Sequence, residues 1–150
     1  MCHTFCKLLD THGVEQIARI YTEMPTAWHP KDYVAPTRNK VADEMRGSIE
    51  GSTEYIYVAR NITSELIGFI WIVESEHAAE ERHIRGLWVH PDHRRQGLGT
   101  KFVYKVVQDL EQCGIVRLTA EVHYLNAVSL VFLLKRGFRA GYVHLELTKS

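Results

Sequence analysis

Leu87-Trp88-Val89-His90-Pro91-Asp92-His93-Arg94-Arg95-Gln96-Gly97-Leu98-Gly99-Thr100 is the stretch that decides how this chain is read. The residues leading into it, from His83 to Val89, favour a strand. Those from Gly97 to Gln112 set apolar side chains at helical spacing. A turn with Pro91, two arginines and two glycines joins the two elements. Glycine lets the main chain approach a ligand closely and take dihedrals that other residues avoid. The first amides of the helix then point outward without intrahelical partners, a concave donor set that suits phosphate oxygens. Arg94, Arg95 and Lys101 add positive charge nearby. The expected ligand is a di- or polyphosphate. A Walker A loop is not supplied by this segment, and a dinucleotide G-x-G-x-x-G fails because its last position is Phe102.

The pattern Arg94-x-x-Gly97-x-Gly99 resembles the coenzyme A-binding motif of the GCN5-related N-acetyltransferase (GNAT) family, whose core is [RQ]-x-x-G-x-[GA]. Leu87-x-Val89-x-Pro91 precedes it, an amphipathic helix follows, and a second matching segment runs from Asn126 to Phe138. The resemblance covers the last half of the chain in detail and all of it in element order. It implies an α/β (mixed α+β) acyl-CoA N-acyltransferase fold, with a central mixed, mostly antiparallel sheet flanked by helices. It further implies that acetyl moves from acetyl-CoA to a primary amine, on a small molecule or peptide, by direct attack in a ternary complex. The alternative is a non-catalytic domain of the same fold that senses acetyl-CoA or coenzyme A.

Composition bounds the answer. A chain of 150 residues suits one domain, 1–150, and 45% hydrophobic residues suffice for one core. Zero formal net charge gives no global electrostatic case for nucleic acid or membrane binding. No apolar run reaches bilayer-spanning length. Met1-Cys2-His3-Thr4-Phe5 lacks a signal-peptide layout. Three cysteines, Cys2, Cys6 and Cys113, are an odd, sparse set that fits a reducing cytoplasm. Cys2, His3 and Cys6 find no second pair at zinc spacing, so no metal is expected.

In chain order, His3 to Leu9 is expected to form an edge strand and Gly13 to Met24 a helix, with Val14, Ile17, Ala18 and Tyr21 on one face. An aromatic loop follows, with Trp28, His29 and Tyr33 among Pro25, Pro30 and Pro36. It either walls an acceptor pocket or covers the core. Val41 to Glu50 reads as a second helix closed by Gly51, and Glu54 to Ala59 with Glu65 to Val73 as a hairpin turning at Asn61 to Ser64. Glu74, Glu76, Glu80 and Glu81 crowd the next turn, either drawing in a cationic amine or simply solvated. Strict alternation puts His83, Arg85, Leu87 and Val89 on one face of the following strand, and Ile84, Gly86 and Trp88 on the other. Val116 to Val122 is the next strand, after a stop at Gly114. The helix from Ala127 to Arg136 is apolar nearly all round, which predicts burial. Only Arg139 to Ser150 remain beyond Phe138, enough for one strand, Tyr142 to Leu147. Either the terminal hairpin is abbreviated or a second subunit completes the sheet edge, making a homodimer.

The resemblance assigns roles by position. The pantetheine arm would lie as an extra strand along the main chain of Leu87, Trp88 and Val89. Arg94 aligns with the motif's first position, and the amides of Arg95, Gln96, Gly97, Leu98, Gly99 and Thr100 would take the pyrophosphate. Asn126 matches an asparagine that contacts pantetheine and also reads as a helix cap. The amide of Leu87 is the matching oxyanion donor. His83 is the first candidate base, since histidine titrates near neutrality; Glu81 is the second. The family's usual acid, a tyrosine, falls at Leu133, leaving Tyr124 or water to reprotonate the thiolate. Cys113, at the far end of its helix, is taken as inert.

Overall fold

Segments rich in β-branched and aromatic residues build a five-stranded sheet, β1 (Thr4–Lys7), β2 (Tyr55–Arg60), β3 (Leu66–Glu74), β4 (Glu81–Val89) and β5 (Arg117–Ala120), in which β2 and β3 are apolar runs buried on both faces. The structure, a computed structural model, describes residues 4–8, 11–24, 34–51, 53–121 and 127–141. The strands lie in sequence order, antiparallel except for the parallel pair β4–β5. Helices α1 (Val14–Glu23) and α2 (Arg38–Glu50) pack on one face against Ile56, Val58, Phe69 and Trp71. Helix α3 (Leu98–Gln112) covers the other through Leu98, Phe102, Val106 and Leu110, against Tyr57, Ile70 and Ile84. Helix α4 (Ala127–Lys135) follows β5. The mixed, mostly antiparallel sheet flanked by helices is the architecture expected.

Boundaries shift where a cap or a neighbouring strand extends an element. α2 begins at Arg38 rather than Val41, because Thr37 Oγ1 accepts from Lys40 N–H at 3.2 Å and starts the helix before its first apolar residue. β4 begins at Glu81 rather than His83, since Glu81 to Ile84 pair with Arg117 to Ala120. The core is tight along β3: a Cβ on Gly68 would stand 2.9 Å from the Phe102 ring and 3.0 Å from the Trp88 carbonyl.

Two expectations are overturned. Strict alternation along β4 fails, because the strand carries an extra residue. Trp71 pairs with Gly86 and Ile72 with Ile84, so Arg85 bulges out of register. Ile84, Leu87 and Val89 therefore share the α3 face. Arg85 lies instead over the Trp71 ring, 4.3 Å from its centroid, and pairs with Glu44 of α2. His83 pairs with Val73, which packs on the α1–α2 side, so His83 and Leu87 point to opposite faces. Second, α4 is not buried all round. Leu133 is buried, but Val128 is 84% exposed, and Val131 and Leu134 are also exposed. Apolarity in every direction does not by itself supply a neighbour in every direction. The expected aromatic loop, Tyr124, Asn126 and the strand Tyr142 to Leu147 lie outside the described residues.

Candidate active site

The site begins where β4 and β5 part. Their parallel pairing runs only from Glu81–Arg117 to Ile84–Ala120, while β4 continues to Val89. Beyond Ile84 no strand among the described residues lines that edge. Antiparallel partners alternate between bonded and non-bonded pairs. His90 N–H donates to the Ile67 carbonyl at 2.8 Å, which makes Trp88–Phe69 a bonded pair and leaves Leu87–Ile70 and Val89–Gly68 non-bonded. The N–H and C=O of Leu87 and Val89 therefore turn away from β3, toward the open edge. Trp88, expected to share that role, turns its main chain to β3 instead. The Val89 carbonyl accepts from Arg94 Nε at 3.1 Å, in keeping with its outward direction.

The chain then turns through Pro91–His93 and enters α3 by two left-handed residues, Arg95 at φ 63° and Gly97 at φ 78°. A Cβ on Gly97 would meet nothing within 4 Å, so here glycine answers the dihedral and leaves space. The first internal bond of α3 runs from Lys101 N–H to the Gly97 carbonyl at 3.0 Å, and no side chain caps the helix. The amides of Gln96, Gly97, Leu98, Gly99 and Thr100 thus have no acceptor among the described residues. Gly99 has another reason to be small: a Cβ there would come within 3.1 Å of the Phe132 ring.

Of the candidate bases, His83 has its Nδ1 2.9 Å from Thr119 Oγ1 on β5, which leaves Nε2 without a partner among the described residues. Glu81 is committed: it is 4% exposed, one oxygen pairs with Arg117 Nε at 3.2 Å, and the other accepts from Ser75 Oγ. Glu74, Glu76 and Glu80 are exposed. A hollow of about 530 Å3, lined by Gln16, Arg19, Ile20, Arg60, Trp88 and His90 among others, opens on the α1 side of the end of β4. Cys113 caps the opposite end of α3, 3.8 Å from the Tyr55 hydroxyl. Two residues that the sequence reading passed over sit beside these groups. Thr119 faces His83 across the parallel pair, and alternation along β5 would have found it. Arg136 donates from Nε to Thr100 Oγ1 at 2.8 Å, which no local pattern announces.

A strand that ends on an open edge and feeds a helix with unpaired first amides is the arrangement that the coenzyme A motif requires. The model of the Acetyltransferase (GNAT) family matches residues 14–138. The chain belongs to this family. GNAT acetyltransferases use acetyl-CoA, and the residues present fit it: unpaired amides, a glycine with open space, and a free stretch of strand. Aminoglycoside antibiotic 6'-N-acetyltransferase AAC(6')-Ih from Acinetobacter baumannii has a similar structure, with a TM-score of 0.74 and 16% identity over 99% of each chain. AAC(6')-Iy in complex with the bisubstrate analog CoA-S-monomethyl-acetylneamine gives 0.75 and 14%, over 100% of this chain and 99% of that one. A transcriptional regulator from Bacillus halodurans C-125 gives 0.74 and 16%, over 99% and 100%. At these identities the likeness is one of GNAT fold. No curated protein matches the sequence.

Proposed function

We propose that this GNAT chain transfers acetyl from acetyl-CoA to a primary amine by direct attack within a ternary complex. The observation that carries the reading is the parting of β4 from β5 just upstream of a helix with unpaired first amides. Leu87 and Val89 offer main-chain groups on the open edge, as a pantetheine arm lying like a strand requires. Arg94 and the amides from Arg95 to Thr100 receive the pyrophosphate. The thioester supplies an activated acetyl group whose thiol departs readily as thiolate, thiol pKa values lying near ~8.5. The Leu87 amide donates to the oxygen on which charge develops.

His83 removes the amine proton. His83 stands four positions before Leu87 on β4, roughly 13 Å along a regular strand and less across the bulge at Arg85, so the proton reaches its Nε2 along a chain of waters. For this the Nδ1–H must donate to Thr119 Oγ1, leaving Nε2 as the acceptor. Glu81, with both oxygens engaged, serves as a strut between β4, β5 and the preceding turn.

Thermal melts with acetyl-CoA, then a thiol-release screen over amines, polyamines, aminoglycosides, amino acids and peptide N-termini, test the proposal. A melting shift with turnover supports it. No shift at saturating acetyl-CoA overturns it, and a shift with no turnover on any amine transfers the chain to the sensing role.

A further inference from the structure

Arg136 follows α4 and reaches back across the start of α3. Its Nε donates to Thr100 Oγ1 at 2.8 Å, and its guanidinium lies 4.9 Å from the centroid of the Phe132 ring. Phe132 in turn closes on Gly99, where there is no room for a Cβ. Two consecutive residues of α3 therefore seat the arginine: Gly99 takes the Phe132 ring beneath its guanidinium, and Thr100 takes its hydrogen bond. Arg136 is half-buried, and no carboxylate among the described residues pairs with it. A guanidinium has only donors, and drawing it partly out of water without an anion is unfavourable. One donor is spent on the neutral hydroxyl of Thr100, which stands in the first turn of α3, where the amides have no acceptor among the described residues.

We infer that Arg136 clamps the pyrophosphate of the coenzyme A donor, together with the amides at the start of α3. The inference rests on the proposed function. Pyrophosphate is chosen over the 3'-phosphate because Thr100, which anchors the arginine, belongs to the same helical turn as the amides of Leu98 and Gly99. Both donor sets then converge on one anion, and the planar guanidinium fork suits two of its oxygens.

Dissociation constants for coenzyme A, 3'-dephospho-coenzyme A and pantetheine, measured on wild type, Arg136→Ala and Arg136→Lys, test this. The alanine variant should weaken the first two ligands alike, by roughly tenfold, and leave pantetheine unchanged. The lysine variant should recover part of the loss. Equal weakening of pantetheine would reduce Arg136 to a support of the fold. A loss confined to coenzyme A would move the contact to the 3'-phosphate, and no loss would make the arginine idle; each overturns the inference. Failure of wild type to bind coenzyme A would instead strike the proposed function.

Discussion

Single residues set the chemistry through which of their atoms are committed. His83 has Nδ1 on Thr119 and Nε2 unpaired among the described residues. If it is the base, His83→Ala should lower kcat by about 100-fold or more and flatten the rising limb of the pH–rate profile. Thr119→Val should keep the limb but lower the rate, because the ring loses the acceptor that fixes its tautomer. Profiles unchanged in both variants would remove His83 from the mechanism. Tyr57 belongs to stability instead. Its hydroxyl donates to Asp109 Oδ2 at 2.6 Å from a nearly inaccessible position, and burial, then that bond, push the phenol well above its ordinary 10.0. The folded chain therefore holds this proton more tightly than the unfolded chain. The associated stability is complete below pH 10.0 and declines as pH rises past it. Tyr57→Phe should cost about 1 kcal/mol near neutrality, by depriving Asp109 of a donor. It should also blunt the alkaline decline, as urea midpoints across the alkaline range would report.

Elements explain what could be read in advance. Gly97, Gly99 and the apolar spacing of Leu98, Phe102 and Val106 announce a strand–turn–helix, because that geometry is local. The order of elements along the chain, and the strand along which a pantetheine arm would lie, followed from the family resemblance. The bulge at Arg85 was not legible: it answers Glu44 and Trp71, which are distant in sequence. Nor was the commitment of Glu81, whose partners Ser75 and Arg117 lie on different segments. α4 misled because hydropathy reports what a side chain prefers, not what stands beside it. Substitution distinguishes its faces. Val128→Gln should leave stability within about 0.5 kcal/mol, whereas Leu133→Ala should cost about 2 kcal/mol or more. Gly68→Ala should also cost about 1–3 kcal/mol, since the added methyl meets the Phe102 ring and the Trp88 carbonyl. Melting temperatures of the three variants would rank them.

For the whole molecule, zero formal net charge means that affinity for a polyanionic donor has to come from local geometry. Acetyl-CoA at about 100 times its dissociation constant should stabilise the fold by about 2.7 kcal/mol. Gly97→Glu should abolish that stabilisation, since the new side chain enters open space beside the amides and carries the wrong sign. Normal binding by this variant would mean that the phosphate turn lies elsewhere.

The unzipped half of β4 has a consequence for isotope exchange. A central strand is ordinarily the slowest part of a sheet to trade its amide protons with solvent, yet Leu87 and Val89 direct theirs to an edge with no acceptor among the described residues. In deuterated buffer these two should exchange much faster than Trp88 between them. Adding coenzyme A should erase the contrast, so a two-residue periodicity in labelling, present without ligand and lost with it, would trace the bound arm along the strand.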